Sequence, residues 1–310
     1  MASTLDVEAF GLHVRLPAGL LTAPLRPVRD GERRVPTVVT RSPDPIPVWD
    51  PSTVRRLREL LQDGRVIWSV DVDRNMRLQI CAPGLATMEV SPDGLEVTCA
   101  PEGDNADPHW PALIVAQALP FAATLRGLEV FHASAVTLDG STLLFSGVPG
   151  SGKSSLATQL VLRGAGLLSD DAVAIDRDLV AHPSTGGIRL RDAEFARLDQ
   201  AARDRLGVVS TAQFDGRMIG SVTPADPAPV GALYLFERDS HGPTIEPVAA
   251  VAPILLLGAT FVVASIQTPE RLGRHLEVCA QIAARVPVFK LRVTPDIDAG
   301  MLAERVIACR

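Results

Sequence analysis

The sequence predicts an α/β protein in which a small β-rich domain precedes a larger domain of strands and helices. Three observations lead to this prediction. Short β-like runs separated by turn residues occupy the stretch between residues 66 and 99. A glycine-rich loop joins an apolar strand to a helix between residues 142 and 163. Strand and helix patterns then follow one another to the end of the chain.

The first part of the chain is expected to be irregular up to residue 45, apart from one strand around Val35–Thr40. Apolar residues recur at helical spacing in Ser52–Gln62 and predict a short amphipathic helix. The polar, turn-rich segment Pro101–Pro108 marks the best boundary, so the domains are predicted to be 1–105 and 106–310. Between the helix and the boundary we predict a small antiparallel sheet of Val66–Val72, Met76–Cys81, Thr87–Val90 and Leu95–Cys99.

The second domain is predicted to begin with a helix over His109–Leu125 and a strand pair, Leu128–Leu138 and Thr142–Ser146. No charged residue occurs from Pro247 to Pro269, but the prolines and polar residues there favour a buried helix over a membrane span. Further predicted helices are Ser154–Arg163, Asp192–Arg205, Arg271–Arg285 and Ala299–Ala308. Further predicted strands are Gly166–Ser169, Ala172–Ile175, Val286–Val293, and a hairpin of Val230–Phe236 with Pro243–Val248.

The composition excludes several classes of protein. The formal net charge is −6 without long runs of one sign, which argues against nucleic-acid binding and against a polybasic membrane patch. No basic stretch followed by an apolar run occurs at the N-terminus, and we expect a cytoplasmic protein. No CxxC pair or zinc-type spacing occurs, so we expect reduced, mostly structural thiols at Cys81, Cys99, Cys279 and Cys309.

The glycine-rich loop matches the phosphate-binding pattern G-x-x-x-x-G-K-[ST] in full, with a strand before it and a helix after it. Its backbone N–H groups and the helix N-terminus favour bound phosphate. Lys153 is predicted to reach the β- and γ-phosphates, and Ser154 to offer its hydroxyl to Mg²⁺. The nucleotide-binding residues are predicted to be Gly147, Val148, Pro149, Gly150, Ser151, Gly152, Lys153, Ser154 and Ser155.

Lysine is scarce in this chain, which has 28 arginines and only two lysines, Lys153 and Lys290. A lysine retained against such a bias indicates a position that needs a compact ammonium group. For Lys290, chance is an equally good explanation.

Two adjacent carboxylates, Asp170 and Asp171, follow the next predicted strand. At the carboxyl end of a strand they would face the phosphates, where one could bind Mg²⁺ and the other accept a proton. Adjacent strand residues point to opposite faces, so both reach one site only where the strand ends or bends. The alternative is a polar loop with a solvated Asp. His132, in the apolar strand before the loop, is by itself more typical of a structural histidine.

Together these motifs resemble the kinase domain of bacterial HPr kinase/phosphorylase and its relatives, including the kinases of lasso-peptide clusters. His132 lies 21 residues before Lys153 and Asp170 lies 17 after it, which agrees with that family. The resemblance covers about residues 110–310 and implies an α/β P-loop kinase fold related to phosphoenolpyruvate carboxykinase. It implies that Asp170 is the general base, that Asp171 binds Mg²⁺, and that His132 lies near the transferring phosphate.

Two departures from that family limit the resemblance. The HPr enzymes carry Glu-x-Arg-Gly after the Asp pair, whereas the nearest match here, Gly187–Arg191, lacks the Glu. The missing metal ligand could come from elsewhere, for example from Asp192. The β-rich first domain also differs, which makes HPr itself a poor candidate substrate. Arg189 and Arg191 share one face of a predicted strand and either contact phosphate or an acidic substrate, or are ordinary surface arginines.

The leading hypothesis is a kinase that uses ATP and Mg²⁺ to phosphorylate a hydroxyl, most readily a Ser of a protein or peptide. A homo-oligomer is compatible with the sequence. Two alternatives stay open: a small-molecule kinase on the same scaffold, and a nucleotide-binding regulatory protein with little transfer activity.

Overall fold

The structure, a computed structural model, contains two large sheets, and most of the helices pack on the second. It describes residues 3–21, 23–28, 34–103, 110–207, 217–239, 242–261, 268–294 and 297–309. Within these ranges no helix is both long and apolar enough to cross a membrane.

The first sheet contains nine strands. In chain order they are β1 Thr4–Ala9, β2 Leu12–Pro17, β3 Arg26–Pro27, β4 Thr37–Arg41, β5 Arg55–Gln62, β6 Arg65–Val72, β7 Leu78–Ala82, β8 Ala86–Val90 and β9 Glu96–Pro101. Their spatial order is β3-β1-β2-β4-β9-β8-β7-β6-β5, with parallel pairing only between β2 and β4 and between β4 and β9. The predicted antiparallel strands are confirmed as β6–β9. The expectation of an irregular stretch with one strand up to residue 45 is wrong.

Two tight hairpin turns account for strands that the sequence pattern did not reveal. Phe10 and Gly11 have φ of 53° and 71° and join β1 to β2, and Asp63 and Gly64 have φ of 50° and 74° and join β5 to β6. Two-residue turns with positive φ match the twist of paired strands. The predicted helix over Ser52–Gln62 is therefore wrong, because hairpin pairing outweighs the helical spacing of its apolar residues.

The second half of the chain contains eleven strands and six α-helices within the described residues. The strands are β10 Glu129–Phe131, β11 Ala133–Leu138, β12 Ser141–Ser146, β13 Gly166–Ser169, β14 Val173–Ile175, β15 Val180–His182, β16 Gly187–Arg191, β17 Arg217–Ser221, β18 Ala228–Arg238, β19 Thr244–Pro247 and β20 Val288–Val293. The α-helices are α1 Leu119–Leu125, α2 Lys153–Leu162, α3 Asp192–Ala196, α4 Gln200–Arg205, α5 Pro269–Arg285 and α6 Ala299–Ala308. A π-helical turn covers Ile114–Ala118 and a 3-10 helix covers Pro253–Ala259.

Helices cover both faces of the second sheet around β12. This strand lies between antiparallel β11 and parallel β18, and β20 continues the sheet parallel to β18. On one face α5 packs through Val278 and Ile282. On the other face α2 and α6 pack through Leu156, Leu160 and Val306. The chain is thus a mixed α/β protein, as the sequence predicts.

Several predicted elements of the second half are divided or paired differently. The predicted helix His109–Leu125 is a π-helical turn followed by α1, where Pro120 lacks the N–H of a regular helix. The predicted helix Asp192–Arg205 is two helices, because Asp199 accepts from the N–H of Ala202 and starts α4 anew. The predicted hairpin is wrong, since β18 and β19 each pair with β20, which lies between them.

Two further predicted elements, on either side of the glycine-rich loop in the sequence, also differ in the structure. The predicted single strand Leu128–Leu138 is split at His132 into β10 and β11. The predicted buried helix between Pro247 and Pro269 is a short 3-10 helix with Ile254 and Leu255 exposed. Residues 262–267 of that prediction lie outside the described residues.

The two sheets pack against each other through a shared core. The N–H of Phe10 donates to the carbonyl of Pro183 at 2.6 Å. A Cβ on Gly11 would lie 2.9 Å from the ring of His182, so the β1–β2 turn fits closely only as glycine. Phe121 of α1 belongs to the same apolar cluster as the first sheet. The division at 105/106 stays a prediction, because residues 104–109 are outside the described ranges.

All four cysteines lie in the described part of the chain and are free thiols, and Cys81, Cys99 and Cys279 are buried as structural residues. Burial raises the pKa of Cys99 and of Cys279 to about 12, and it also raises the pKa of Cys81. Cys309 is exposed.

Candidate functional site

The glycine-rich loop leaves β12 at Ser146 and enters α2 at Lys153, as the sequence predicts. Gly150 and Gly152 have φ of 79° and 102°, a region that other residues rarely adopt. Gly147 packs so tightly that an added Cβ would lie 2.7 Å from the Cβ of Phe236. The loop therefore requires glycine both for its conformation and for its close approach to β18.

Two polar side chains of the loop, Ser151 and Lys153, are buried from solvent. The ammonium group of Lys153, only 7% exposed, donates to the carbonyls of Gly147 at 2.8 Å and Val148 at 3.2 Å. The buried Oγ of Ser151 has no hydrogen-bond partner among the described residues. Buried polar atoms without a partner are rare in proteins, and a bound water or ion and a catalytic role are among their explanations.

Asp170 is the buried centre of the site. Its Oδ1 accepts from the hydroxyls of Ser134 at 2.7 Å and Ser154 at 2.8 Å, and its Oδ2 accepts from the N–H of Arg189 at 2.9 Å. These donors come from β11, α2 and β16, so one carboxylate connects three elements. The sequence singled out Asp170, Ser154 and Arg189 but missed Ser134, which lies in an apolar strand without a motif of its own.

Asp171 points towards His132 on the more open side of the site. Its φ of 85° is unusual for a non-glycine residue and turns the chain at the end of β13. Its Oδ1 lies 3.4 Å from Nδ1 of His132, and its Oδ2 lies 3.6 Å from Nη1 of Arg189. Both Asp171 and His132 side chains are 26% exposed. This bend lets both carboxylates reach one site, because adjacent residues point to opposite faces only while the strand stays regular.

His132 marks the point where the chain changes sheet partners. Its N–H donates to the carbonyl of Ala259 at 2.6 Å, between the pairing of β10 with β14 and of β11 with β12. Burial lowers the pKa of its imidazole, and the charges of Lys153 and Arg58 lower it further, while Asp171 opposes the shift. The ring is therefore biased towards its neutral form.

Arg58 brings a guanidinium from the first sheet to this side of the site. It donates to the carbonyl of Phe261 at 3.2 Å and lies over the rings of Trp68 and Phe261, at 5.1 Å and 5.9 Å. Burial lowers its pKa and the nearby charge of Asp171 opposes that shift. No sequence motif singled out Arg58, because Ser52–Gln62 was predicted as a short amphipathic helix of the first domain.

Two arginines approach the loop from the other side. The Nη2 atom of Arg238 donates to the carbonyl of Gly150 at 3.3 Å. A Cβ added to Gly150 would lie 3.2 Å from Nη2 of Arg191. Arg189 and Arg191 thus reach the site from one face of β16, and Arg238 joins them without any sequence signal.

A glutamate lies next to the loop although the expected Glu-containing motif is missing. The carboxylate of Glu194 accepts from the hydroxyl of Ser155 and from the N–H of Arg191. Asp192, which the sequence analysis named as a substitute, is exposed at the start of α3. Because Glu194 contacts the loop whereas Asp192 is exposed, Glu194 is the better candidate for a metal ligand from α3.

The oxygen atoms around Ser154 fit a magnesium ion held jointly by protein and phosphate. Ser154 Oγ and the Asp170 carboxylate are hard ligands only 2.8 Å apart. No cluster of three or more His, Cys, Asp or Glu side chains able to hold a metal occurs in the described ranges. Mg²⁺ bound with nucleotide needs only one or two carboxylates, because phosphate oxygens supply other ligands.

Comparison with solved structures shows a partial similarity. No protein-family model matches the chain, and no curated protein matches it. A solved structure described as the Hpr(Ser) kinase/phosphatase from Coxiella burnetii matches with 14% sequence identity and a TM-score of 0.29, over 58% of this chain and 95% of that one.

We expect the protonation of His132 to make stability depend on pH. The pKa of His132 is lowered in the folded state, whereas in the unfolded chain it is close to the ordinary value of about 6.5. As pH falls below about 6.5, the unfolded chain therefore binds a proton more readily than the folded protein does, and wild type loses stability. His132→Gln lacks this loss. Urea unfolding of both proteins at pH 8 and pH 5.5 should show wild type losing stability relative to the variant on acidification. A relative gain would mean that Asp171 stabilises the imidazolium more than burial opposes it.

Proposed function

We propose that this protein is a phosphotransferase that uses ATP and Mg²⁺ to phosphorylate a hydroxyl group, most readily a Ser of a protein or peptide. The observation that carries the proposal is the Asp pair: Asp170 binds the Ser154 hydroxyl, while Asp171 stands beside His132. A site that only held nucleotide would need the first carboxylate but not the second. The acceptor class comes from the resemblance to the HPr kinase/phosphorylase and lasso-cluster kinases, with their α/β P-loop fold.

The loop residues would bind the triphosphate. Loop N–H groups and the N-terminus of α2 would contact the β- and γ-phosphates. Lys153 now donates to two carbonyls of its own loop, and it would exchange these for phosphate oxygens of higher charge. Bound Mg²⁺ would offset the charge that develops on the transferring phosphate.

The contacts favour a division of roles between the aspartates that reverses the one implied by the resemblance. Asp170 is 9% exposed and already accepts a hydrogen bond from the Ser154 hydroxyl, so we assign it as the Mg²⁺ ligand. Asp171 is more open and lies against His132 and Arg189, so we assign it as the base for the acceptor hydroxyl. His132, biased towards neutral, would orient Asp171 or contact the transferring phosphate.

The arginines around the site would hold the phosphate and the acceptor in place. Arg58 and Arg189 lie on the side of Asp171, whereas Arg191 and Arg238 lie beside Gly150. Planar guanidinium groups bind phosphate and carboxylate oxygens in pairs. An acceptor peptide with acidic residues would suit this surrounding charge.

Nucleotide binding is tested with Lys153→Met and the matched control Lys290→Met. Lys290 lies on β20 and pairs with Glu237, 3.7 Å away, so it provides an equivalent loss of charge outside the loop. We expect Lys153→Met to weaken binding of the non-hydrolysable analogue AMP-PNP with Mg²⁺ at least about tenfold in calorimetry, since charge-assisted contacts are lost. Lys290→Met should bind as wild type does. Equal affinity in both variants would refute the nucleotide site.

Phosphate transfer is tested with Asp171→Asn and Asp170→Asn, using radiolabelled ATP and panels of Ser-containing peptides and small hydroxyl compounds. Asp171→Asn should lower the transfer rate by about 10²–10⁴-fold, the usual range for a general base, while keeping AMP-PNP affinity. Asp170→Asn should raise the Mg²⁺ concentration needed for AMP-PNP binding. Wild-type transfer by Asp171→Asn would exclude it as the base. Transfer to small compounds alone would favour a metabolite kinase, and binding without any transfer a regulatory protein.

Arg58→Met tests whether the first sheet takes part in the reaction, with Arg65→Met as control. Arg65 is exposed at the turn end of the same hairpin and has no contact with the site among the described residues. We expect Arg58→Met to lower kcat at least about tenfold with AMP-PNP affinity unchanged, because the lost guanidinium would stabilise charge in the transition state. Arg65→Met should retain wild-type kcat. A rise of KM alone would assign Arg58 to acceptor binding instead.

A further inference from the structure

A fully buried serine in an apolar run contacts Asp170 from the strand side. Ser134 lies in β11 between Ala133 and Ala135. The two alanines belong to the core on the α5 face of the sheet, whereas Val136 belongs to the core on the α2 face. Strand alternation therefore places Ser134 on the α2 face, where its hydroxyl donates to Oδ1 of Asp170 at 2.7 Å. Burying a hydroxyl costs free energy unless it is hydrogen-bonded, so this contact explains a polar residue here.

The donors to Asp170 can be counted against the positions at which a carboxylate accepts. An ionised carboxylate has about four lone-pair positions, two on each oxygen. Oδ1 accepts from the hydroxyls of Ser134 and Ser154, which fills both of its positions. Among the described residues, Oδ2 accepts from the N–H of Arg189 alone. About one position therefore stays open for a metal ion, and it is on Oδ2.

A bound metal ion leaves this count unchanged. A hydroxyl donates through its proton and accepts through its lone pairs, so Oγ of Ser154 can bind Mg²⁺ while it still donates to Oδ1 of Asp170. Ser134 is fully buried on the strand side. It therefore acts on the metal through Asp170 rather than as a ligand.

We propose that Ser134 is a positioning residue that restricts Asp170 to binding a metal ion through one oxygen, and that it thereby makes the site selective for Mg²⁺ over Ca²⁺. The inference rests on the proposed function, in which the metal ion binds together with the nucleotide. Mg²⁺ requires nearly octahedral coordination, whereas Ca²⁺ takes about six to eight oxygens and often binds both oxygens of one carboxylate. With both positions of Oδ1 filled, Asp170 does not offer Ca²⁺ this second oxygen.

The test compares AMP-PNP binding with Mg²⁺ and with Ca²⁺ in wild type and in Ser134→Ala, by calorimetry. Wild type should bind AMP-PNP more tightly with Mg²⁺. Ser134→Ala should reduce this preference at least about tenfold, as expected when a hydrogen-bond partner of a metal ligand is removed, because Oδ1 becomes free to bind Ca²⁺. A purely structural role of Ser134 would weaken binding with both metals alike and leave the preference unchanged.

Ser184→Ala is the matched control. Ser184 is also buried, but its hydroxyl accepts from that of Ser169 at 2.9 Å and does not contact Asp170. This variant should keep the metal preference of wild type. Ser134→Cys nearly preserves the volume of the side chain and leaves only a weak donor, so it should change the preference in the same direction as Ser134→Ala, and it keeps the test decisive if the alanine variant does not fold.

Two results would overturn the role of Ser134 while leaving the proposed function intact. One is tight AMP-PNP binding with the wild-type metal preference in the folded Ser134 variants. The other is an equal loss of preference in Ser184→Ala. A wild-type protein that binds AMP-PNP with neither metal would refute the proposed function, and the inference together with it.

Discussion

The buried carboxylate of Asp170 is the interaction on which the geometry of the candidate site depends. A carboxylate that is largely removed from water requires several donors, and here two hydroxyls and one backbone N–H provide them. Because the donors sit on β11, α2 and β16, satisfying Asp170 fixes the glycine-rich loop relative to both of these strands. The positive φ of Asp171 then turns the chain after Asp170, so that the second carboxylate lies against His132 on the more open side of the same site.

The opposite side of the site depends on a crossing of the chain at His132. Ala259, the last residue of the 3-10 helix, accepts the N–H of His132, and Thr260 after it pairs with Phe131. The apolar run around His132 can therefore pair with one strand before this residue and with another after it. A buried network holds that segment in turn: Thr260 binds His275, and His275 binds Glu129. Each of these three side chains has a hydrogen-bond partner, and satisfied buried polar groups help to specify a single arrangement of a core.

Local chemistry decided how much of the structure could be predicted from the sequence. The glycine-rich loop with α2 and the final helix Ala299–Ala308 lie where predicted, because glycine conformations and helical periodicity are local properties. The Asp pair and His132 were identified by their spacing. Arg58 and Ser134 were missed, since their relevance comes from pairing with residues distant in the chain, which no local pattern encodes.

The position of Arg58 has a consequence for how this chain can be divided. Its strand belongs to the first sheet, yet its side chain binds the carbonyl of Phe261, beside the segment that holds His132. Phe261 also packs edge-on against Phe121, and the apolar cluster of the first sheet includes both rings. The two halves are therefore not independent modules. Exchanging the first half for an unrelated one would remove the apolar residues that pack on Phe261 and the positive charge of Arg58.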